Sequence, residues 1–202
     1  NKGNSRRHLG SVNFALEEFQ PDTLKISSRF NQSSSGTAVG WLSPQDLQAQ
    51  VQLDNLFGTP AQQRRVTAKF ELIPASFSFS QYSEHRFLTP QNDQVKNSRV
   101  SQSLDEQQTD ADGKASFNLP LAQYSGGTYR LLLTTEGYDG AGGKSVQSVS
   151  SALLSPLTAL IGVKADGELG YLKKQQSREL EFIAINNNLA QIALDGLTLK
   201  LV

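Results

Sequence analysis

Apolar residues in this chain recur at every second position, and that period admits few folds. Leu24, Ile26 and Phe30 alternate with polar neighbours, and Ser28 takes the intervening inward position. Val12, Phe14 and Leu16 alternate in the same way, as do Leu47, Ala49, Val51 and Leu53. Val66, Ala68, Phe70 and Leu72 form the next run, followed by Ala115, Phe117, Leu119 and Leu121, then Tyr129, Leu131 and Leu133. Near the end, Leu180 and Phe182 share a face, then Leu197, Leu199 and Leu201. Alternation over four to eight residues means a strand with one face on a core and one in water.

Between the runs stand Gly58-Thr59-Pro60, Asp112-Gly113, Gly126-Gly127, Asp139-Gly140, Asp166-Gly167 and Asp195-Gly196, all turn-forming. No window carries a helical stripe. The nearest, Ser43 to Gln50, has Pro44 at a helix-start position but runs into an alternating strand. Many short strands joined by such turns predict an all-β chain of antiparallel sandwiches. Pro74 to Asp110 departs from the pattern, being long, polar and irregular, with Phe77, Phe79, Tyr82 and Phe87 spaced through it. A segment of that length is functional or packed on something. One or two edge strands are expected in it, near Tyr82 to Leu88.

The stretch "LDNLFGTPAQQRRVTAKFEL", Leu53 to Leu72, resembles the rim of an active site. Thr59 has no base beside it, however, and the turn chemistry explains the rest. Gly58 permits a tight backbone, Pro60 blocks further ladder pairing, and a hairpin returns near Val66. Arg64 and Arg65 would open the return strand with one side chain in solvent.

Composition narrows the function. The 19 basic and 19 acidic residues cancel, and no basic run exceeds the pairs Arg6-Arg7, Arg64-Arg65 and Lys173-Lys174. A balanced chain has no field to gather phosphate backbones, so nucleic acid is not an expected partner. The absence of cysteine removes disulfides, thiolate catalysis and Cys-ligated zinc. No signal peptide is read at Asn1, and a start without Met suggests a fragment or a processed chain. The longest apolar stretch, "ALLSPLTALIGV", is short and broken by Ser155 and Pro156, so no membrane insertion is expected.

Candidates for chemistry fail one by one. His8 and His85 lie in different segments without a ligand-spaced partner, whereas a metal site needs three or four convergent ligands. "GYDGAGGKS", Gly137 to Ser145, misses the phosphate-loop spacing by one residue. "VQSVSS" follows it where a helix is required, so a flexible hairpin is the better reading. "TDADGK", Thr109 to Lys114, opens like a calcium loop, but position twelve from Asp110 is Leu121, and a hairpin turn at Asp112-Gly113 is preferred. Glu17-Glu18 and Asp105-Glu106 are adjacent, so on a strand their side chains diverge. No Gly-x-Ser-x-Gly elbow is present. No catalytic, cofactor-binding or metal residue is therefore assigned, no cofactor is expected, and the segment is read as a non-enzyme.

Several motifs, in order, resemble the macroglobulin-like domains of bacterial alpha-2-macroglobulins. "LGSVNFALEEFQPD" resembles a closing strand and linker, and "QAQVQLDNLFGTPAQQRRVTAKFEL" the signature hairpin of the following domain. "TDADGKASFNL" and "GGTYRLLLTTEG" resemble that domain's later strands. "LIGVKADGELGYL" and "RELEFIAINNNLAQIALDGLTLKLV" resemble the opening of another domain. The resemblance implies tandem, seven-stranded, fibronectin-like sandwiches, the second one incomplete. Residues 1–20 would close a preceding domain, 21–150 form a complete sandwich, and 151–202 begin the next. An internal repeat agrees, because "DNLFGTPAQQRRV" and "INNNLAQIALDGL" occupy equivalent places after a strand. Residues 152–202 should then pack on the first domain, dimerise, or be completed by a longer chain. Tyr129 would suit a tyrosine corner, or it is a half-buried strand aromatic; both readings stand.

The resemblance further implies a scaffold within a protease-trapping inhibitor of the bacterial envelope. Its partners would be the other macroglobulin-like domains and the trapped proteases. The setting would be periplasmic, with lipid anchoring of the parent to the inner membrane as an option. In that family a protease cuts a bait region, and many members capture it through a Cys-x-Glu-Gln thioester, which a chain without cysteine does not contain. The competing reading is an adhesin-like or carbohydrate-binding tandem sandwich. It requires an exposed aromatic platform, for which the aromatics between 77 and 87 are better candidates than Trp41. A hydrolase would rest on unpaired Ser, Asp and Glu alone.

Overall fold

The computed structural model describes residues 23–33, 40–88, 99–140, 144–167 and 177–198. Its strands are β1 (Leu24–Phe30), β2 (Gln48–Asn55), β3 (Arg65–Pro74), β4 (Arg86–Phe87), β5 (Val100–Ser103) and β6 (Gln107–Gln108). They continue as β7 (Lys114–Asn118), β8 (Tyr129–Tyr138), β9 (Ser145–Leu154), β10 (Ala159–Ala165) and β11 (Leu180–Asn186). Single 3-10 turns occupy Ser80–Tyr82 and Ala122–Tyr124. The run at Val12 to Leu16 and the leucines at 199 and 201 lie outside the described residues. Leu197 is exposed and belongs to no strand.

Two antiparallel sheets form the larger unit. One has the order β1-β2-β7; the other runs β5-β3-β8-β9, with β6 also on β3. Ala49, Val51 and Leu53 of β2 face Val66, Ala68, Phe70 and Leu72 of β3 and Leu131 and Leu133 of β8 in one buried cluster. These are the alternating residues of the sequence, and burying them holds the layers together at about 25 cal/mol per Å² of apolar surface. Ser28, the polar member of its face, is satisfied across the gap. Its hydroxyl meets that of Ser150 on β9 at 2.7 Å, and the Ser150 hydroxyl donates to the Ser28 carbonyl at 3.0 Å.

Residues 56–64 are not a hairpin. β2 pairs with β1 and β7, whereas β3 pairs with β8, β5 and β6, so the chain arches from one sheet to the other. Alternation fixes which face of a strand is buried, not which strand lies beside it. The tip itself is a tight turn. Asn55 N–H donates to Thr59 O at 2.8 Å and Ala61 N–H to Leu53 O at 3.0 Å. Pro60 does not block pairing, because it is bridged to Asp54 at the position between those bonds, where no N–H is needed.

The Asp112-Gly113 turn is likewise an arch, carrying the chain from β6 in one sheet to β7 in the other. Asp110 Oδ1 accepts the N–H groups of Asp112 and Lys114 at 2.8 and 2.9 Å, so the carboxylate shapes the turn. The two arches brace each other through buried Thr109. Its hydroxyl donates to Ala61 O at 2.6 Å and accepts from Arg64 N–H at 2.9 Å.

Gly58 sits at φ +82° with open space where a Cβ would stand. Gly58→Val should therefore cost only the left-handed backbone penalty, about 1–2 kcal/mol in a urea titration. Thr59→Ala removes one exposed bond from Asn55 Nδ2 to its hydroxyl, 3.0 Å long, and should shift stability by no more than about 0.5 kcal/mol.

The remaining sheet has the order β11-β10-β4. The described residues of the 74–110 segment thus hold three strands, more than expected. β4 lies near the anticipated position but pairs with β10, while β5 and β6 extend the sheet at β3. Leu180 and Phe182 do share a face of β11, but the core takes the opposite one. Ile185 is fully buried, whereas Phe182 is 45% exposed. "LEFIAIN" is apolar on both faces, so its period cannot choose between them.

Candidate functional site

The sequence assigned no reactive residue, and the candidates it weighed are placed apart. His8 lies outside the described residues. His85 has a buried Nε2 without a hydrogen-bond partner, 4.0 Å from Glu181 Oε1, and its ring meets Tyr82 edge-on. Gly137 to Ser145 joins β8 to β9 as a hairpin, with Tyr138 opposite Ser145 and a strand where a phosphate loop needs a helix. Asp110, the start of the calcium-like motif, is committed to backbone N–H groups. Among the described residues no group of three His, Asp or Glu could hold a metal ion. Tyr129 is buried edge-on against Tyr124, and its hydroxyl makes no backbone bond among the described residues, so it is a core aromatic rather than a tyrosine corner.

The aromatics between 77 and 87 form no exposed platform. They are the core of a junction between the sandwich and the β11-β10-β4 sheet. Past β3 the chain stays extended, so Phe77 and Phe79 point inward while Ser78 and Ser80 point out. The 3-10 turn then buries Tyr82, and β4 brings in Phe87. Trp41 enters from the β1–β2 connection and is 1% exposed. Its ring lies 5.4 Å from Phe77 and 6.1 Å from Phe79, and Phe79 meets Phe87 edge-on at 5.3 Å. Leu160 of β10 and Ile185 of β11 complete the cluster. Edge-on aromatic pairs contribute about 0.5–1.5 kcal/mol each beyond burial.

Directional bonds fix this contact. Trp41 Nε1–H donates to Leu157 O at 2.6 Å. Leu42 N–H donates to Leu153 O at 2.8 Å, and Leu42 O accepts from Ser155 N–H at 2.9 Å, a strand-like bridge to the end of β9. Gly40 N–H reaches Asn187 O at 2.8 Å, and the Tyr82 hydroxyl donates to Leu189 O at 2.8 Å. Each of these bonds ends on a backbone carbonyl, and none joins a nucleophile to a base. The arrangement holds two units in one orientation.

An exposed ion pair joins β10 to the segment before β4, Lys164 Nζ to Glu84 Oε2 at 2.6 Å. The bond from Lys164, then its charge, lowers the Glu84 pKa, and the same bond raises that of Lys164. The depressed carboxylate contributes above its ordinary value of 4.5 and loses that contribution as pH falls through the folded value. The raised amine contributes fully below 10.5 and loses it as pH climbs through its folded value. Glu84→Gln should leave stability little changed in moderate salt but flatten its acid-side decline. Denaturation midpoints from pH 3 to 7, a range of about four units around that carboxylate value, would show this.

The repeat seen in sequence is exact in geometry after β11. Asn186 N–H donates to Ala190 O, Ile192 N–H to Ala184 O, and Ile185 bridges Gln191. These match the bonds of Asn55, Ala61 and the Asp54–Pro60 bridge. Leu189, at φ +62°, stands where Gly58 stands. No local signal in "NNNLAQ" betrays a leucine in the left-handed region; only the alignment with Gly58 points to it.

Residues 30–156 match the family model for the bacterial alpha-2-macroglobulin MG5 domain. The chain is 41% identical over 201 residues to the alpha-2-macroglobulin of Pasteurella multocida (strain Pm70), covering 98% of this chain and 10% of that protein. It is 38% identical over 194 residues to the alpha-2-macroglobulin homolog of Yersinia pestis, covering 96% and 9%. The chain thus spans about a tenth of the length of these curated relatives. Among solved structures it is similar to the native conformation of Escherichia coli alpha-2-macroglobulin, with TM-score 0.56 and 16% identity over 87% of this chain and 11% of that one. Trypsin-activated alpha-2-macroglobulin from Escherichia coli gives TM-score 0.55 and 16% identity, over 86% and 12%. Salmonella alpha-2-macroglobulin reacted with methylamine gives 0.53 and 18%, over 87% and 12%. At these identities the structures share the fold.

Proposed function

The chain belongs to the bacterial alpha-2-macroglobulin family, and from that premise we propose that it is a non-catalytic scaffold segment of a protease-trapping inhibitor of the cell envelope. The junction carries this reading. Trp41 and the aromatics between 77 and 87 are spent on packing one unit against the next, with backbone bonds at Leu42 and Gly40 setting the angle. A segment built this way positions neighbouring domains and transmits their rearrangement as a rigid body. The trypsin-activated relative points to proteases as the parent's targets. The setting we propose is periplasmic.

Residues 21–150 are read as one complete unit and 151–202 as the opening of the next, with β9 running on to Leu154 across their border. The far face of β10 and β11 supports that incompleteness. Ile161, Val163 and Phe182 stand on it together, half-buried or exposed, opposite the face that meets the aromatic cluster. An apolar face only partly covered among the described residues fits a sandwich whose second layer comes from elsewhere.

Incubating these 202 residues with trypsin-like and elastase-like proteases tests the scaffold role. Residual protease activity should be unchanged at equimolar ratio. Stoichiometric or covalent inhibition by this segment alone would contradict the reading.

A further inference from the structure

The two equivalent turns differ in what covers them. The later turn is docked. Asn187 O and Leu189 O accept bonds from Gly40 N–H and the Tyr82 hydroxyl, both 2.8 Å long, and the Leu189 side chain lies over Gly40 against the aromatic cluster. The earlier turn, 55–59, has the same backbone bonds and a left-handed residue at the same place, yet among the described residues only Thr23, whose O accepts from Leu56 N–H at 3.0 Å, is bonded to its tip from outside the turn. Leu56 O and Gly58 O, the counterparts of the two docked carbonyls, accept no bond among the described residues. Leu56 is 55% exposed and Phe57 97% exposed. A turn that needed only to connect strands would carry polar residues there, not Leu56 and Phe57.

We propose that the Leu56–Phe57 tip is a docking plug for a macroglobulin-like unit on the N-terminal side of β1 in the parent chain. It would engage that unit as the 186–190 turn engages this one. The two carbonyls would accept a backbone N–H and an aromatic hydroxyl or equivalent donor, and Phe57 would supply the apolar contact that Leu189 supplies in the later turn. The occupant is a sandwich of the same family because the docked copy shows what such a turn fits: the aromatic cleft beside the β1–β2 connection of the unit before it. Room for such a unit follows from relatives about ten times longer than this chain. The proposal rests on the family reading.

Its test places the photo-crosslinker p-benzoylphenylalanine at position 57 of the full-length parent, where an exposed aromatic site tolerates another aromatic. Cross-linked peptides are mapped by mass spectrometry. The expected cross-links fall in the unit immediately preceding β1, next to its own β1–β2 connection. Cross-links to a distant unit, to another protein, or no cross-link at all would overturn the docking proposal. A parent that still traps protease while showing one of those patterns would leave the scaffold reading standing, so the two failures are distinguishable.

Discussion

Trp41→Ala should cost about 3–5 kcal/mol, the range for truncating a buried aromatic. The indole is 1% exposed, contacts Phe77 and Phe79, and spends its N–H on Leu157 O. Removal opens a cavity in the cluster where the β11-β10-β4 sheet meets the sandwich. That sheet depends on the junction, because its buried residues Leu160 and Ile185 pack in the same cluster as Trp41. Unfolding should therefore lose its single transition, with the smaller sheet melting first. Circular dichroism in urea is the suitable probe, since the substitution removes the chain's single tryptophan. Trp41→Phe, which keeps most of the packing and loses the N–H, should fall between the wild type and Ala. A loss below about 1 kcal/mol for Ala would mean that the junction is held by its backbone bonds instead.

Gly113→Ala should cost about 3 kcal/mol or more. Its φ of +73° already costs a residue with a Cβ about 1–2 kcal/mol. The added carbon would also collide with the Leu53 carbonyl oxygen and stand 3.2 Å from the Ala61 nitrogen. Both are backbone atoms and cannot swing away. Relief would break the 2.8 Å bond from Leu53 N–H to Gly113 O, which ties this arch to β2. Gly58→Ala is the matched control, with the same backbone penalty and no neighbour, and about 1 kcal/mol is expected. Equal losses at the two glycines in chemical denaturation would show that the arches do not press on each other.

The strand faces could be read along the chain wherever one face was apolar and the other polar. Leu47 to Leu53 and Val66 to Leu72 are buried as their alternation requires. The equivalence of "DNLFGTPAQQRRV" and "INNNLAQIALDGL" was also legible, because the Asn that opens each turn and the residue three places on occupy matching conformations. The turn at Leu53 to Val66 was legible as a turn but not as an arch. A hairpin and an arch use the same glycine and proline, and only the pairing of β2 with β7 and of β3 with β8 separates them. The exposed aromatics imagined between 77 and 87 were misplaced for a similar reason. A polar, irregular segment shows no period, and what buries its rings is Trp41 and β10, which are distant in sequence.

Sequence alone determined the class of fold, the inward residues of most strands, the repeat and the family. Each of these rests on local chemistry: a two-residue period, turn residues, and motifs in order. Tertiary structure decided which strands pair, which face of β11 is buried, and where the aromatics go. Those choices depend on contacts between segments many residues apart. Their free energy is shared across both partners, so neither segment carries it in its own pattern.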